Sequence, residues 1–340
     1  MKAAIYHEPM KITTEDVPAP RIGDADILVR VRACGICGSD LHMYRLGVFS
    51  EVLCRRSEGG MIPGHEFAGE VAEVGREVEG IRVGDRVMAL TFGGMAEYVP
   101  VSPALLGLNV YKVPEEVGWV EAATTEPLGN SLHAAQLGAP ADGQNLLVFG
   151  AGIIGLGIVQ AVRVSGLKPN RVIVVDVSDK RLAMARELGA DEVIHAGRED
   201  AFQRARELTG EVPVLMLQGA VQTPAVDVIY DCVGYIRERP EPPVIQQALR
   251  IARENGRVVV HGVFEAPLTL DLMPMVVKHV QVFGSYGFLP DEAVRALELM
   301  RDKKVDRMKL VSHQYPIEQA GEAFETQCRV DRSIKVVVTV

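Results

Sequence analysis

The stretch NLLVFGAGIIGLGIVQAVRVSG, residues 145–166, constrains this chain more than any other. A short β-prone run leads straight into Gly150-Ala151-Gly152-Ile153-Ile154-Gly155, and a helix-length apolar run follows. Strand, glycine turn and helix in that order open a βαβ unit able to cradle a dinucleotide. The first glycine permits the tight turn, the second lets a pyrophosphate approach the backbone, and the third lets helix pack on strand. The start of the helix, at Ile153 and Ile154, offers free N–H groups and a positive dipole end to phosphates. Alone, such a glycine pattern is a weak signal. Here it is answered by Asp176, 21 residues beyond Gly155 at the end of RVIVV. A carboxylate there can hold both hydroxyls of a ribose and would repel a 2′-phosphate, which points to NAD over NADP. Arg181 reads either as a stacking partner for the adenine or as a solvated helix-face residue.

The same texture continues downstream. RVIVV, EVI, VDVIY, RVVVH and QVF alternate with helix-length stretches such as KRLAMARELG and VIQQALRIARENG. With NLLVF, these six runs and their crossovers predict an α/β fold with a parallel, doubly wound sheet. Up to about residue 123 the chain reads differently. ILVRVRA (27–33), FAGEVAEVG (67–75), DRVMAL (85–90) and AEYVPV (96–101) show β-branched alternation broken by turn residues. Since 340 residues exceed one comfortable core, two domains are expected. A helix (DEAVRALELMRD) and a terminal strand (IKVVVTV) follow residue 288, and 234–244, GYIRERPEPPV, reads as an exposed loop.

A second concentration of chemistry lies in CGICGSDLH, residues 34–42. A catalytic zinc requires three protein ligands of N, S or O type and an open position. Cys37 offers a thiolate, Pro63-Gly64-His65-Glu66 an imidazole and a carboxylate, and Glu126 a further carboxylate. Singly, each has an ordinary reading as packing or surface. Taken with Gly-Asp-Arg-Val (84–87), Glu-Pro-Leu (126–128), the glycine turn and Asp176, they make a set. In that set the chain resembles the zinc-dependent medium-chain alcohol dehydrogenase family, in its sorbitol, butanediol and threonine dehydrogenase branch.

The resemblance implies a GroES-like β-rich catalytic domain over 1–123 and 288–340, and a Rossmann NAD-binding domain over 124–287. It implies Cys37, His65 and Glu66 as zinc ligands, with Glu126 either coordinating directly or holding the zinc-bound water. Asp40 would orient the ligand histidine, and Ser39 with His42 would carry the proton to solvent. Cys34 remains a packed neighbour. The implied reaction moves a hydride between a secondary alcohol (polyol, cyclitol or diol) and NAD, in a homodimer or homotetramer.

Two departures matter. Many relatives carry a lobe of four cysteines where DRVMALTFGGMAEY here runs straight through. Cys34, Cys54, Cys232 and Cys328 lack the spacing to rebuild it, so one catalytic zinc and no structural zinc is expected. The segment GVFSEVLCRRSEGGM (47–61), between the first two ligands, is expected to border the substrate. Its Arg55 and Arg56 read either as a grip for a carboxylate or phosphate, or as solvated loop residues.

A net charge of −9 without a basic run argues against nucleic acid. The absence of 18 consecutive apolar residues argues against a membrane span. The opening MKAAIYHEPM lacks a signal-peptide pattern, and five irregularly spaced cysteines are not a disulfide framework, so the cytoplasm is expected. A zinc-free quinone or enoyl reductase would have no use for Cys37, His65, Glu66 and Glu126 together. A non-catalytic NAD-binding sensor or scaffold would have no need of four ligands. A redox pair of Cys34 and Cys37 would want a βαβ setting that this half lacks.

Overall fold

Alternating Val and Arg in ILVRVRACG suit a strand with one face inward, and the computed structural model places a strand at Ile27–Gly35. The structure describes residues 1–216, 219–237 and 242–340. It divides into two units, one of Met1–Gly129 with Leu289–Val340 and the other of Asn130–Phe288.

In the first unit, Ile27–Gly35 has three antiparallel partners. Glu66–Val74 runs along its length, Tyr98–Val101 lies against Ile27–Arg30, and Lys335–Thr339 against Ala33–Gly35. Register shifts at Leu28/Val29 and Val31/Ala33 mark where the pairing is interrupted. Such bulges bend a strand and increase its twist. The sheet continues through Arg86–Ala89 and Val110–Lys112 on one side and Val311–Pro316 on the other. Its core includes Val29, Val31, Phe67, Val71, Val99, Val101, Phe324, Val336 and Val338, all buried.

Segment 47–61 is more ordered than its polar, glycine-containing sequence suggests. It holds a short helix, Ser50–Leu53, and a hairpin of Arg55–Ser57 with Gly60–Ile62. That hairpin joins Lys2–Glu8 and Lys11–Asp16 in a four-stranded sheet.

The second unit carries a parallel sheet of Asn145–Phe149, Arg171–Asp176, Glu192–His195, Val226–Asp231, Ala252–Val260 and Gln281–Gly284. Numbered along the chain, its spatial order is 3-2-1-4-5-6, the doubly wound arrangement. The first strand, fully buried, sits beside the fourth, where the order reverses. Ligands bind such sheets at the carboxyl ends of the strands flanking that reversal.

Two features differ from the sequence reading. The helix expected over VIQQALRIARENG stops at Ile251, and Ala252 begins the next strand. Lys278 donates to the carbonyls of Arg250 (2.7 Å) and Ala252 (2.5 Å), satisfying orphan acceptors at the helix end. Asn255, at φ 59°, then takes a left-handed conformation that no helix interior accommodates. In addition, Glu211–Met216 and Gly219–Pro224 form an antiparallel hairpin that the strand count did not include. Of the expected exposed loop 234–244, residues 238–241 lie outside the described residues. No helix among the described residues is long and apolar enough to cross a membrane.

Candidate functional site

Cys37 is the N-cap of helix Gly38–Leu46, which carries Ser39, Asp40 and His42 in its first turns. Asp40 turns back so that its Oδ2 accepts the Cys37 N–H at 2.9 Å. Its Oδ1 faces His65 Nδ1 at 3.6 Å, and the residue is fully buried. One carboxylate therefore holds the backbone at Cys37 by a hydrogen bond and sets a negative charge beside the ring of His65.

His65 follows Gly64, whose φ of 95° suits glycine. A Cβ on Gly64 would stand 2.7 Å from both Cys34 Sγ and Met95 Cγ. Cys34 is thus packed against that bend, fully buried. Glu66 opens strand Glu66–Val74 in register with Gly35. Ligand atoms of Cys37, His65 and Glu66 all lie within 4.8 Å of one another. Glu126, in the first turn of helix Thr125–Gly138, falls outside that group, but its charge acts on both Cys37 and His65.

The electrostatics are those of a place that wants a cation. Burial pushes the Cys37 thiol up, and the Glu66 carboxylate adds to it. Burial likewise raises Asp40. Burial alone would lower His65, yet Asp40, Cys37 and Glu126 together hold it well above the usual histidine range. Three carboxylates and a thiol thus surround one imidazole. A thiolate, an imidazole and carboxylates are the donors zinc takes, so the residues present fit that metal.

Two residues here escaped the sequence reading. Lys335, fully buried, pairs with Glu66 and donates to the Ile36 carbonyl at 2.7 Å. Arg307, also fully buried, lies close enough to Glu66 to feel its charge, although burial lowers its pKa to about 10. Lys335 left a trace, as the one charge in the otherwise β-branched IKVVVTV. Arg307 left none.

In the second unit, Gly150 takes φ 92°, and helix Ile153–Val164 starts at Gly152 with no side chain capping it. Ile153, Ile154 and Gly155 form its first turn, where N–H groups have no intrahelical partner. A Cβ on Gly152 would meet only Arg181 Nη1, at 4.0 Å, so its outer face is open to a ligand. Asp176 lies at the end of Arg171–Asp176, its Oδ2 accepting the Ala151 N–H at 2.7 Å and its Oδ1 the Ser178 N–H at 2.8 Å. The open face of Gly152, the uncapped helix start and the carboxylate beside them fit a dinucleotide.

A Cβ on Gly155 would fall on the Gly150 carbonyl oxygen. Overpacking of this kind costs about 1–3 kcal/mol. Gly155→Ala is therefore expected to lower the thermal midpoint and weaken NAD binding measured by calorimetry. Unchanged NAD affinity would show that this turn does not hold the cofactor.

Two family models match the chain. The alcohol dehydrogenase GroES-like domain covers residues 23–115, and the zinc-binding dehydrogenase covers residues 154–302. L-idonate 5-dehydrogenase of Vitis vinifera is 31% identical, over 94% of this chain and 89% of its own. Sorbitol dehydrogenase of Homo sapiens is 28% identical, over 95% and 91%. Among solved structures, 2R,3R-butanediol dehydrogenase of Bacillus subtilis superposes with a TM-score of 0.79 at 27% identity, covering 100% of this chain and 99% of its own. An alcohol dehydrogenase of Thermus sp. ATN1 gives 0.83 at 26% identity, covering 100% of both chains.

Proposed function

The chain belongs to the zinc-dependent medium-chain alcohol dehydrogenase family, and on that premise we propose that it oxidises a secondary alcohol of the polyol, cyclitol or diol class with NAD. The observation that carries this reading is the convergence of Cys37, His65 and Glu66, with the Glu126 charge beside them. Relatives named for sorbitol, idonate and butanediol point to a polyhydroxylated substrate.

Cys37, His65 and either Glu66 or Glu126 would hold the zinc, which would supply Lewis-acid polarisation of the alcohol oxygen. NAD, held at Gly150–Gly155 and Asp176, supplies the electron acceptor. The chain's own residues do the rest. Asp40, its carboxylate 3.6 Å from Nδ1, favours the orientation of the His65 imidazole by charge. Lys335 compensates the buried carboxylate of Glu66, so that the site does not carry all its negative charge unpaired. Ser39 and His42, three apart on one helix and therefore neighbours on its surface, carry the alcohol proton outward. Assembly as a homodimer or homotetramer and a cytoplasmic location belong to the same reading.

The test pairs zinc content per chain with NAD reduction over polyols, cyclitols, diols and threonine. One zinc and turnover confined to one of these classes are expected. Activity without zinc would favour a reductase of the same superfamily, and zinc without turnover a non-catalytic NAD-binding protein. Within that assay, Asp176→Ser is expected to raise the NADP-to-NAD ratio of kcat/KM at least about tenfold, because a like charge facing a phosphate costs several kcal/mol. An unchanged ratio would remove Asp176 from the cofactor site.

A further inference from the structure

Segment 47–61 presents two adjacent arginines with opposite fates. Arg56 is exposed and pairs with Glu51. Arg55 turns inward, and its Nε and Nη2 are buried without a hydrogen-bond partner among the described residues. Burial alone lowers its pKa, with no carboxylate acting on it. Arg32 and Arg86 of this unit also bury an unpartnered Nε, but each is held through its remaining donors, whereas the Arg55 side chain makes no hydrogen bond or ion pair among the described residues. Arg86, for example, donates to the carbonyls of Pro114 (3.0 Å) and Val117 (2.5 Å) and lies 4.2 Å from the Trp119 ring.

The position of Arg55 is as informative as its lack of partners. It stands opposite Ile62 in the hairpin, three residues before His65. Its side chain crosses Gly93, where a Cβ would lie 2.6 Å from Nε and 2.8 Å from the Arg55 Cβ. The N–H groups of Gly93 and Gly94 both donate to the Gly64 carbonyl at 2.9 Å. Phe92 sets its ring edge-on to His65 at 5.6 Å between centroids. The turn Phe92–Gly94 therefore has the metal-ligating histidine on one side and the unpaired guanidinium on the other, all within the first unit.

A charge removed from water without a counter-ion is costly. Nε and Nη2 together form the side edge of the guanidinium, the fork that donates to two oxygens of a carboxylate or phosphate. We propose that Arg55 binds an oxyanion on the substrate, so that the alcohol oxidised here carries a carboxylate or phosphate group. This rests on the alcohol dehydrogenase reading and narrows its substrate class.

Thermal midpoints of the zinc-loaded protein test it directly, with D-glucitol, D-gluconate and inorganic phosphate added in turn at constant ionic strength. Gluconate or phosphate, but not glucitol, is expected to raise the midpoint of the wild type, and which anion does so separates a sugar acid from a phosphate ester. Arg55→Met should abolish the shift, and Arg55→Lys should keep part of it, having the charge without the fork. With no anion present, Arg55→Met should be at least as stable as the wild type, whereas a structural arginine would leave it less so. In kinetics with the preferred anionic alcohol, Arg55→Met should raise KM about tenfold or more with kcat little changed. No shift with either anion, an equal shift in Arg55→Met, or an equal shift with glucitol overturns the proposal. Failure to oxidise any alcohol would instead remove the proposed function, while the anion shifts would still decide the role of Arg55.

Discussion

Replacing Cys37 with alanine is expected to take the zinc content from one per chain to nearly none and to reduce kcat/KM with the best alcohol by more than about 100-fold. The magnitude follows from the site. Losing even an outer-shell partner of a ligand costs about 10–100-fold in metal affinity or activity. Cys37 is the one sulfur donor in the group with His65 and Glu66, and its replacement leaves only imidazole and carboxylate. The fold should survive, because the structural work at this position is done by the Cys37 N–H bond to Asp40, which alanine retains. Cys34→Ala is the matched control. It removes a thiol that packs against Gly64, and zinc content should stay at one. Metal analysis of both variants beside the wild type settles the matter. Full zinc in Cys37→Ala would falsify the assignment of this group as the metal centre.

Lys335→Met should produce the largest loss of stability. Lys335 is fully buried, and its ammonium is shared between the Glu66 carboxylate and the Ile36 carbonyl. Methionine keeps much of the volume, so the cost is electrostatic. Breaking a buried pair by removing one partner costs about 3–5 kcal/mol, because the other charge stays buried uncompensated. For a unit of this size that corresponds to a fall of roughly 6–20 °C in thermal midpoint. Arg307 limits the damage, since it too lies within the field of Glu66. The fall should be larger in chelator-treated protein than in zinc-loaded protein, where the metal supplies positive charge. Adding Glu66→Gln to Lys335→Met should recover part of the loss, and the double-variant cycle isolates the pairwise contribution. Losses that simply add would mean that the two side chains do not depend on each other.

These two positions also mark where the sequence was readable. The dinucleotide turn was legible because its determinants are local. A strand, three glycines and a helix adjoin, and Asp176 closes the unit within a few tens of residues. The proposed metal ligands are scattered over Cys37, His65, Glu66 and Glu126, and no spacing rule joins them. Only a resemblance to known proteins assembled them into one site. Lys335 and Arg307 were out of reach, since nothing near them in the chain shows that Glu66 is their partner. Local propensity also misled at RIARENG, whose helix formers were overridden when Lys278 capped Arg250 and Ala252 and the chain turned into the sheet. In segment 47–61 the charged and glycine residues concealed a hairpin, and with it the burial of Arg55.

The bond from Lys335 to Ile36 joins positions 299 residues apart, and that distance is also an interval of time. At about 5–20 residues per second, roughly 15–60 s of synthesis separate the two ends of this contact. Meanwhile the strand Ile27–Gly35 leaves part of one edge open, and Glu66 has no ammonium to face. The contiguous stretch Asn130–Phe288 has no such wait and can fold as soon as it leaves the ribosome. The unit that carries Cys37, His65 and Glu66 is therefore begun first and completed last, and the pairing of Glu66 waits on the final strand.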